Sequence, residues 1–347
     1  MKKGFATLAA VVMILGLLAA CGDSTAGGAS SNGTAANGGS ASGPASSGGA
    51  SGSGAAGSEP AAIINPGDPI IVSTMNDTEG EILGKMMVLA LRDAGYEVTD
   101  NVFGYSGTVN GRTALLEKET DIYMDYTGRG LRLIEGVDES LYHNMETAWQ
   151  SVSEWDKANN NLIWTRYAPF NNTDAIAVRK EFAEENNVYD MYDFARYVNE
   201  GGYVNLVVHP YWVTLSTGLP GMEATYGFKL SEDQYTISGG NDEQLLAEGT
   251  GGVNVCMLYS SSGLAYHYGF VILDDPQVVS PVYSPCPIIV AERLERYPGV
   301  ADALNNVFES IALAEMVEMN ARVEVNGESG EAVAREYLLG KNLIKSA

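Results

Sequence analysis

Residues 70–95 read IIVSTMNDTEGEILGKMMVLALRDAG, a short apolar run followed by a longer segment with apolar residues at helical spacing. The run at Ile70–Ser73 has the length of a buried strand, and the later apolar residues fall on one face of a helix. Thr78 with Glu81 three residues later has the capping-box pattern, which predicts that the helix begins there. Gly95 predicts its end, because glycine readily adopts the left-handed conformation that closes a helix.

The alternation of strand and helix signals continues along the chain. A second strand is predicted at 97–103 and a second helix at 112–119. Further strands are predicted at the apolar runs LIWTRY (162–167), AIAV (175–178), VNLVV (204–208), GGVNVCML (251–258) and GFVIL (269–273). Strands that alternate with helices predict an α/β fold with mainly parallel sheets. Ligands of such sheets bind beyond the carboxyl ends of the strands, so functional residues are expected there.

Length and charge restrict the class of protein. The chain has 347 residues, which favours two domains, and a formal net charge of −24 at pH 7. Nucleic acid and anionic lipid surfaces are poor partners for so acidic a chain, because both require cationic faces. A well-solvated surface explains the acidity, and a cationic solute is a further interpretation.

The N-terminal sequence predicts secretion. Residues 1–20 contain two lysines, an apolar run and a small-residue exit, as in a signal peptide. LAAC at 18–21 resembles the bacterial lipoprotein cleavage motif, which predicts a lipid on Cys21 and an anchor at the outer face of the cytoplasmic membrane. An ordinary cleaved signal with an incidental cysteine is the alternative. The Gly-, Ser- and Ala-rich residues 21–60 predict a flexible tether.

Two further cysteines, Cys256 and Cys286, leave two interpretations open. An even pair in an oxidising compartment is compatible with a disulfide bond. Two buried thiols that pack as small hydrophobic side chains are the alternative.

Known catalytic signatures are missing from the globular part of the sequence. Residues 61–347 contain no nucleophile elbow, no phosphate-binding glycine loop and no zinc-protease motif. His143, His209 and His267 have no metal-ligand spacing, so surface or core positions explain them. We therefore predict no enzymatic activity, no metal and no cofactor.

Tyrosines are the most informative residues. The chain has 19 of them, and Tyr126, Tyr259 and Tyr283 lie at predicted strand exits beside small or polar residues. A single tyrosine is ordinarily a half-buried packing residue. Several tyrosines around one cleft would instead bind a cation, because the ring faces carry negative potential.

At this point the order of motifs resembles a known family, the substrate-binding lipoproteins of ABC transporters for quaternary amines such as glycine betaine, proline betaine, choline and carnitine. The matching segments are NDTEGEIL (76–83), TALLEKETDIYMDYTGRGL (113–131), FNNTDAIAVRKEFA (170–183), STGLPGMEATYGF (216–228), MLYSSSG (257–263), VILDD (271–275), PVYSPCPII (281–289) and MNARVEVNGESGEAVAREYL (319–338).

The resemblance implies a two-lobed, periplasmic-binding-protein-like fold of type II, in which two crossing strands join the lobes. Lobe 1 would comprise residues 67–172 plus 282–347, and lobe 2 residues 173–281. The protein would be a monomer that encloses a small cationic or zwitterionic solute between the lobes. It would deliver that solute to the permease and ATPase subunits of an importer.

The family encloses the ammonium head in a cage of tyrosines. Tyr126, Tyr259 and Tyr283 match three cage positions, and Asp174 stands where the fourth tyrosine is expected. Leu215 stands where the family has an arginine that binds a ligand carboxylate. The remaining candidate ligand residues are Asp77, Thr78, Asn172, Tyr211 and Trp212.

These departures favour a cationic, choline-like ligand over glycine betaine. A missing guanidinium removes a bidentate partner for a carboxylate, and Asp174 adds a negative charge that also accepts hydrogen bonds from an amine. Two alternatives remain open. Asp174 would instead cap a local turn, and the N–H groups near Thr78 would hold a ligand carboxylate without any arginine.

Two other functions compete with import. A secreted enzyme on the same scaffold would need a nucleophile and a base, which the sequence does not show. A receptor subunit that senses solute occupancy would share the binding site and differ only in its partners.

Overall fold

The structure is a computed structural model that describes residues 67–237 and 239–345. The predicted signal peptide, the predicted lipidation site at Cys21 and the predicted tether lie outside the described residues. None of the helices within the described ranges is long and apolar enough to cross a membrane.

Two five-stranded sheets form the framework, in the orders β2-β1-β3-β10-β4 and β7-β6-β8-β5-β9. The strands are β1 (Ile70–Met75), β2 (Val98–Tyr105), β3 (Ile122–Tyr126), β4 (Leu162–Trp164), β5 (Asp174–Val178), β6 (Leu206–Val208), β7 (Tyr235–Ile237), β8 (Val255–Tyr259), β9 (Val271–Ile272) and β10 (Pro285–Val290). Each sheet has its own hydrophobic core. The α/β, two-lobed prediction is therefore confirmed.

Helices surround both sheets. They are α1 (Thr78–Asp93), α2 (Gly107–Leu116), α3 (Thr127–Leu131), α4 (Met145–Asn160), α5 (Lys180–Asn186), α6 (Met191–Asn199), α7 (Leu219–Tyr226), α8 (Asp242–Glu248), α9 (Gly263–Tyr268), α10 (Ala291–Arg296), α11 (Val300–Phe308), α12 (Leu313–Glu324) and α13 (Gly330–Gly340). Short 3₁₀ turns occupy Glu139–His143, Glu232–Gln234 and Thr250–Gly252.

The chain passes between the sheets twice, through residues 165–173 after β4 and residues 273–284 before β10. The strands that follow these crossings, β5 and β10, run antiparallel to their neighbours β8 and β3. Each sheet consequently contains both parallel and antiparallel pairs. The prediction of mainly parallel sheets is wrong, because a strand that returns from the other lobe enters from the opposite end.

Helix α1 begins at Thr78, as the sequence predicts, but its capping residue is Asp77. The Asp77 carboxylate accepts a hydrogen bond from the Gly80 N–H at 2.6 Å. Aspartate is a strong N-cap, and here it takes the role that the capping-box pattern gave to Thr78. The helix closes before Gly95, which has the expected positive φ of 94°.

Cys256 and Cys286 are both free and buried. Cys256 lies in β8 of one sheet and Cys286 in β10 of the other. Burial raises the pKa of both thiols. Of the two interpretations left open by the sequence, the structure has the buried thiols and not the disulfide bond.

Candidate functional site

A cavity of about 450 Å³ lies where strands of both sheets end. Among the side chains that line it are eight of the nine predicted ligand residues: Asp77, Thr78, Tyr126, Asn172, Asp174, Tyr211, Tyr259 and Tyr283. Tyr126 is the last residue of β3 and Tyr259 the last residue of β8. The expectation that strand exits would meet at one site therefore agrees with the geometry.

Trp212 is the exception. Its side chain is fully buried in the core of the second sheet, and it does not line the cavity. Its indole Nε1 has no hydrogen-bond partner within the described ranges. The prediction of a ligand contact was wrong because the turn after β6 points Tyr211 into the cavity and its neighbour into the core.

The four tyrosines that line the cavity, Tyr126, Tyr211, Tyr259 and Tyr283, differ in their surroundings. Tyr126 and Tyr283 are nearly buried, whereas Tyr259 is 42% exposed. The Arg129 guanidinium lies 5.1 Å from the Tyr126 ring centre, and that of Arg132 lies 5.4 Å from the Tyr283 ring centre. One side of each of these two rings thus already faces a cation supplied by the protein.

Asp174 is the first residue of β5 and lies opposite Tyr259 in the antiparallel pair with β8. Its carboxylate is 4% exposed and accepts a hydrogen bond from the Tyr211 hydroxyl at 2.6 Å. The Tyr211 and Tyr259 hydroxyls are 3.3 Å apart. Burial raises the pKa of Asp174, although Tyr211, Arg132 and Arg129 act to lower it.

The turn-cap interpretation of Asp174 is not what the structure has. Within residues 67–237 and 239–345, the Asp174 carboxylate accepts its hydrogen bond from the Tyr211 hydroxyl and none from a backbone N–H. The N–H of Thr173 instead donates to the Ser260 hydroxyl at 2.9 Å. A contact between Asp174 and a ligand stays a prediction.

Glu79 is a site residue that the sequence analysis did not assign. It is the second residue of α1, 5% exposed, and its side chain lines the cavity. The Tyr126 hydroxyl donates to its carboxylate at 2.7 Å. Burial raises the pKa of Glu79 and its hydrogen-bond donors act to lower it. Glu79 belongs to the matched segment NDTEGEIL, which was the signal that could have identified it.

The two arginines were also missed. Arg129 and Arg132 line the cavity, and neither lies within ion-pairing distance of a carboxylate in the described part of the chain. Arg129 donates to the Thr108 hydroxyl at 3.3 Å, and Arg132 to the Thr217 hydroxyl at 3.4 Å. Burial acts to lower the pKa of Arg129, but nearby Asp125 and Tyr126 outweigh it and the net shift is upward.

Acidic groups outnumber basic ones around the cavity. The lining carboxyl groups are those of Asp77, Glu79, Asp174, Glu243 and Glu324, and the lining guanidinium groups are those of Arg129 and Arg132. With all groups ionised, the two cations and five anions sum to 2 − 5 = −3. The cavity is therefore electrostatically suited to a ligand with positive charge.

Asp77 contributes negative charge to the cavity and also caps α1. Its side chain is accessible from the cavity, but the surrounding protein partly desolvates the carboxyl and raises its pKa. The Gly80 N–H and Arg129 act in the opposite direction. Neutralisation of Asp77 would thus cost little to the helix, since a neutral oxygen also accepts the capping hydrogen bond.

Known proteins resemble this chain over nearly all of the described residues. The sequence model of the family described as the substrate binding domain of ABC-type glycine betaine transport systems matches residues 68–339. The glycine betaine-binding protein YehZ of Escherichia coli is 34% identical over 282 residues, which are 80% of this chain and 92% of that protein. A glycine-betaine-binding protein of Pseudomonas aeruginosa is 27% identical, over 77% of this chain and 86% of its own.

Solved structures agree with the sequence comparisons. The apo structure of Escherichia coli YehZ has a TM-score of 0.68 and covers 80% of this chain and 100% of its own, at 34% identity. A glycine betaine/carnitine/choline ABC transporter structure has a TM-score of 0.69 with the same coverage at 20% identity, which supports the fold alone. The chain belongs to the family of substrate-binding domains of ABC-type glycine betaine transport systems.

Proposed function

We propose that this protein is the extracytoplasmic solute-binding component of an ABC importer, which captures a cationic amine and delivers it to the permease. The observation that carries the proposal is the meeting of four tyrosines and the buried Asp174 carboxylate in one cavity. Aromatic faces and a carboxylate are the two kinds of group that bind a quaternary ammonium. Family membership supports the transport role.

The ammonium head would bind at the end of the cavity formed by Asp174, Tyr211 and Tyr259. Guanidinium groups already lie over Tyr126 and Tyr283, and a second cation beside them would be repelled. Tyr259 is the most exposed of the four rings and presents its surface to the cavity. This placement brings the head group against the buried Asp174 carboxylate.

Choline-like solutes are the favoured class. The lining side chains carry more acidic than basic groups, so a ligand with a net positive charge is bound more favourably than a neutral zwitterion. Leu215, which stands where the family has its carboxylate-binding arginine, does not line the cavity.

Glycine betaine is the second candidate, and one specific observation favours it. Arg132 is exposed and lines the cavity, and a guanidinium binds a carboxylate strongly. The two candidates differ in what Arg132 does. It would hold the carboxylate of a betaine, whereas it would have no role in binding choline.

A binding panel tests the proposal. The protein without residues 1–20 is titrated by calorimetry with choline, glycine betaine, carnitine, acetylcholine, simple amines and polyamines. We expect choline to bind most tightly and to raise the melting temperature with its concentration. An Arg132→Gln variant should then retain choline affinity. Failure of every amine in the panel to bind would refute the proposal, and selective loss of glycine betaine binding in Arg132→Gln would favour the second candidate.

A further inference from the structure

Glu79 accepts four hydrogen bonds, two on each carboxylate oxygen. Its Oε1 accepts from the Tyr126 hydroxyl at 2.7 Å and from Asn172 Nδ2 at 3.1 Å. Its Oε2 accepts from the Ser261 hydroxyl at 2.7 Å and from Asn320 Nδ2 at 3.2 Å. A carboxylate has about four acceptor positions. The oxygens of Glu79 are therefore saturated by the protein, even though the residue lines the cavity.

The four donors come from distant parts of the chain. Tyr126 ends β3 of the first sheet, whereas Ser261 follows β8 of the second. Asn172 lies in the crossing segment 165–173, and Asn320 lies in α12. Asn320 Nδ2 also donates to the Ser261 carbonyl oxygen at 2.9 Å. One buried carboxylate thus links both sheets, a crossing segment and a C-terminal helix.

Beside these hydrogen bonds, the backbones of α9 and α12 are in close contact. Helix α9 begins at Gly263 and packs against α12. A β-carbon at Gly263 would lie 2.3 Å from the Ala321 nitrogen and 2.6 Å from the Asn320 carbonyl carbon. These are backbone atoms that no side-chain rotation can move. Only glycine at this position permits the second sheet's helix to approach α12 so closely.

We propose that Glu79, Ser261 and Asn320, here called the clasp, hold the two sheets in the arrangement that forms the cavity. Glu79 is then a positioning residue, which supports ligand affinity through the clasp and not through contact with the ligand. The inference rests on the proposed function insofar as the cavity is taken as the ligand site. The clasp itself is a property of the protein without ligand.

Three variants test the clasp. Ser261→Ala removes one donor and leaves the Glu79 charge in place. Glu79→Gln replaces one carboxylate oxygen by an NH2 group, which cannot accept hydrogen bonds from the donors. Gly263→Ala leaves every clasp side chain intact but forces α9 and α12 apart. Glu81→Gln is the matched control, since Glu81 lies on the same helix and accepts from the Gly330 N–H outside the cavity.

Choline affinity and hydrogen exchange are measured on the protein without residues 1–20. Ser261→Ala and Glu79→Gln each remove a hydrogen bond of a charged group and should weaken choline binding roughly tenfold or more. Gly263→Ala should weaken choline binding as well, because it separates α9 from α12. Amides of residues 259–265 should exchange faster in each of these variants, while those of β1 and β3 keep wild-type protection. Glu81→Gln should match the wild type in both measurements.

Two results would overturn the clasp. The first is wild-type affinity and wild-type exchange in Ser261→Ala and Gly263→Ala. The second is a loss of affinity confined to Glu79→Gln, which would make Glu79 a direct ligand contact. A wild-type protein that binds no choline would count against the proposed function instead. The hydrogen-exchange rates of the variants, compared with those of the wild type, would still test the clasp.

Discussion

Asp174 is a buried carboxylate with a hydroxyl partner and no cationic partner within the described ranges. The Tyr211 hydroxyl donates to it at 2.6 Å, and no lysine or arginine nitrogen of the described residues lies within ion-pairing distance. Such a group is costly to ionise because it is buried away from water, and this burial raises its pKa. A bound cation would reverse this cost. The residue is thus suited to respond to a ligand's charge.

The first prediction concerns Asp174→Asn, which keeps the size of the side chain and removes the charge. Choline affinity should fall roughly tenfold, because the ammonium loses its closest buried anion. The melting temperature of the ligand-free protein should stay the same or rise, since a buried charge is removed. Calorimetry and thermal unfolding measure both effects. The exposed Glu154→Gln on α4 is the control, and unchanged choline affinity in Asp174→Asn would contradict the charge argument.

The second prediction concerns pH. Partial desolvation by the surrounding protein, with Glu243 nearby, raises the pKa of the solvent-accessible cavity residue Glu324 to about 6. In the ligand-free protein, the stabilising contribution of this group is present below its ordinary pKa and is lost as the pH rises through about 6. A bound cation favours the ionised form, so choline, which has no titratable group, should bind more weakly as the pH falls.

We expect the choline dissociation constant to increase several-fold from about pH 7.5 to about pH 5.5. Calorimetry at these pH values measures it. Glu324→Gln should show a smaller pH dependence than the wild type. A choline affinity that is independent of pH in the wild type would show that protonation of Glu324 is not coupled to choline binding.

At the N-terminus of α1, the sequence predicts the element correctly and its capping residue incorrectly. Asp77 and Thr78 are both good capping residues, and only the backbone conformation decides between them. Asp77 has an extended backbone and accepts from the Gly80 N–H, whereas Thr78 is already helical. Local patterns therefore locate helices well but do not fix their first residue.

The third prediction separates the two roles of Asp77. Asp77→Ala should destabilise the protein by about 1 kcal/mol, because the capping hydrogen bond is lost. Asp77→Asn should retain wild-type stability, since asparagine also caps. Both variants should weaken choline binding, because both remove the charge. Denaturant unfolding and calorimetry provide the two measurements, and equal stability of the two variants would show that the cap contributes nothing.

Orientation of the crossing strands could not be predicted from the sequence. The apolar runs that form β5 and β10 look like those of any buried strand. Their antiparallel direction follows from where the chain has been before it enters the sheet. The sequence likewise does not show which way each side chain in a turn points. Tyr211 and Trp212 were both predicted to contact the ligand, but only Tyr211 lines the cavity.

Across the whole molecule, the sequence predicts which segments meet at the site, but it does not predict which tertiary contacts their side chains make. Three tyrosines and Asp174 were expected at one cavity, and they do line it. Glu79 was not assigned although it lies in the matched segment NDTEGEIL, because its role depends on hydrogen-bond donors that are up to 241 positions away in the chain. Contacts of that range leave no local pattern.

The fourth prediction concerns the cysteines. Cys256 and Cys286 lie in different sheets and are buried as free thiols. A reductant should leave the melting temperature unchanged, because Cys256 and Cys286 form no disulfide bond that would constrain the unfolded chain. Mass spectrometry after treatment with a thiol reagent should find both residues unmodified in the native protein and modified after unfolding. A mass that shows the two residues linked in the native protein would contradict the structure.

The ratio of choline to glycine betaine affinity tests the central claim most directly, measured by calorimetry on the wild type and on Asp174→Tyr. Asp174→Tyr introduces the tyrosine that the sequence resemblance predicts at this position and removes the negative charge. We predict that the wild type binds choline more tightly and that the variant narrows or reverses this preference. Tighter binding of glycine betaine by the wild type, with the same order kept in Asp174→Tyr, would contradict the claim that this cavity selects its ligand by positive charge.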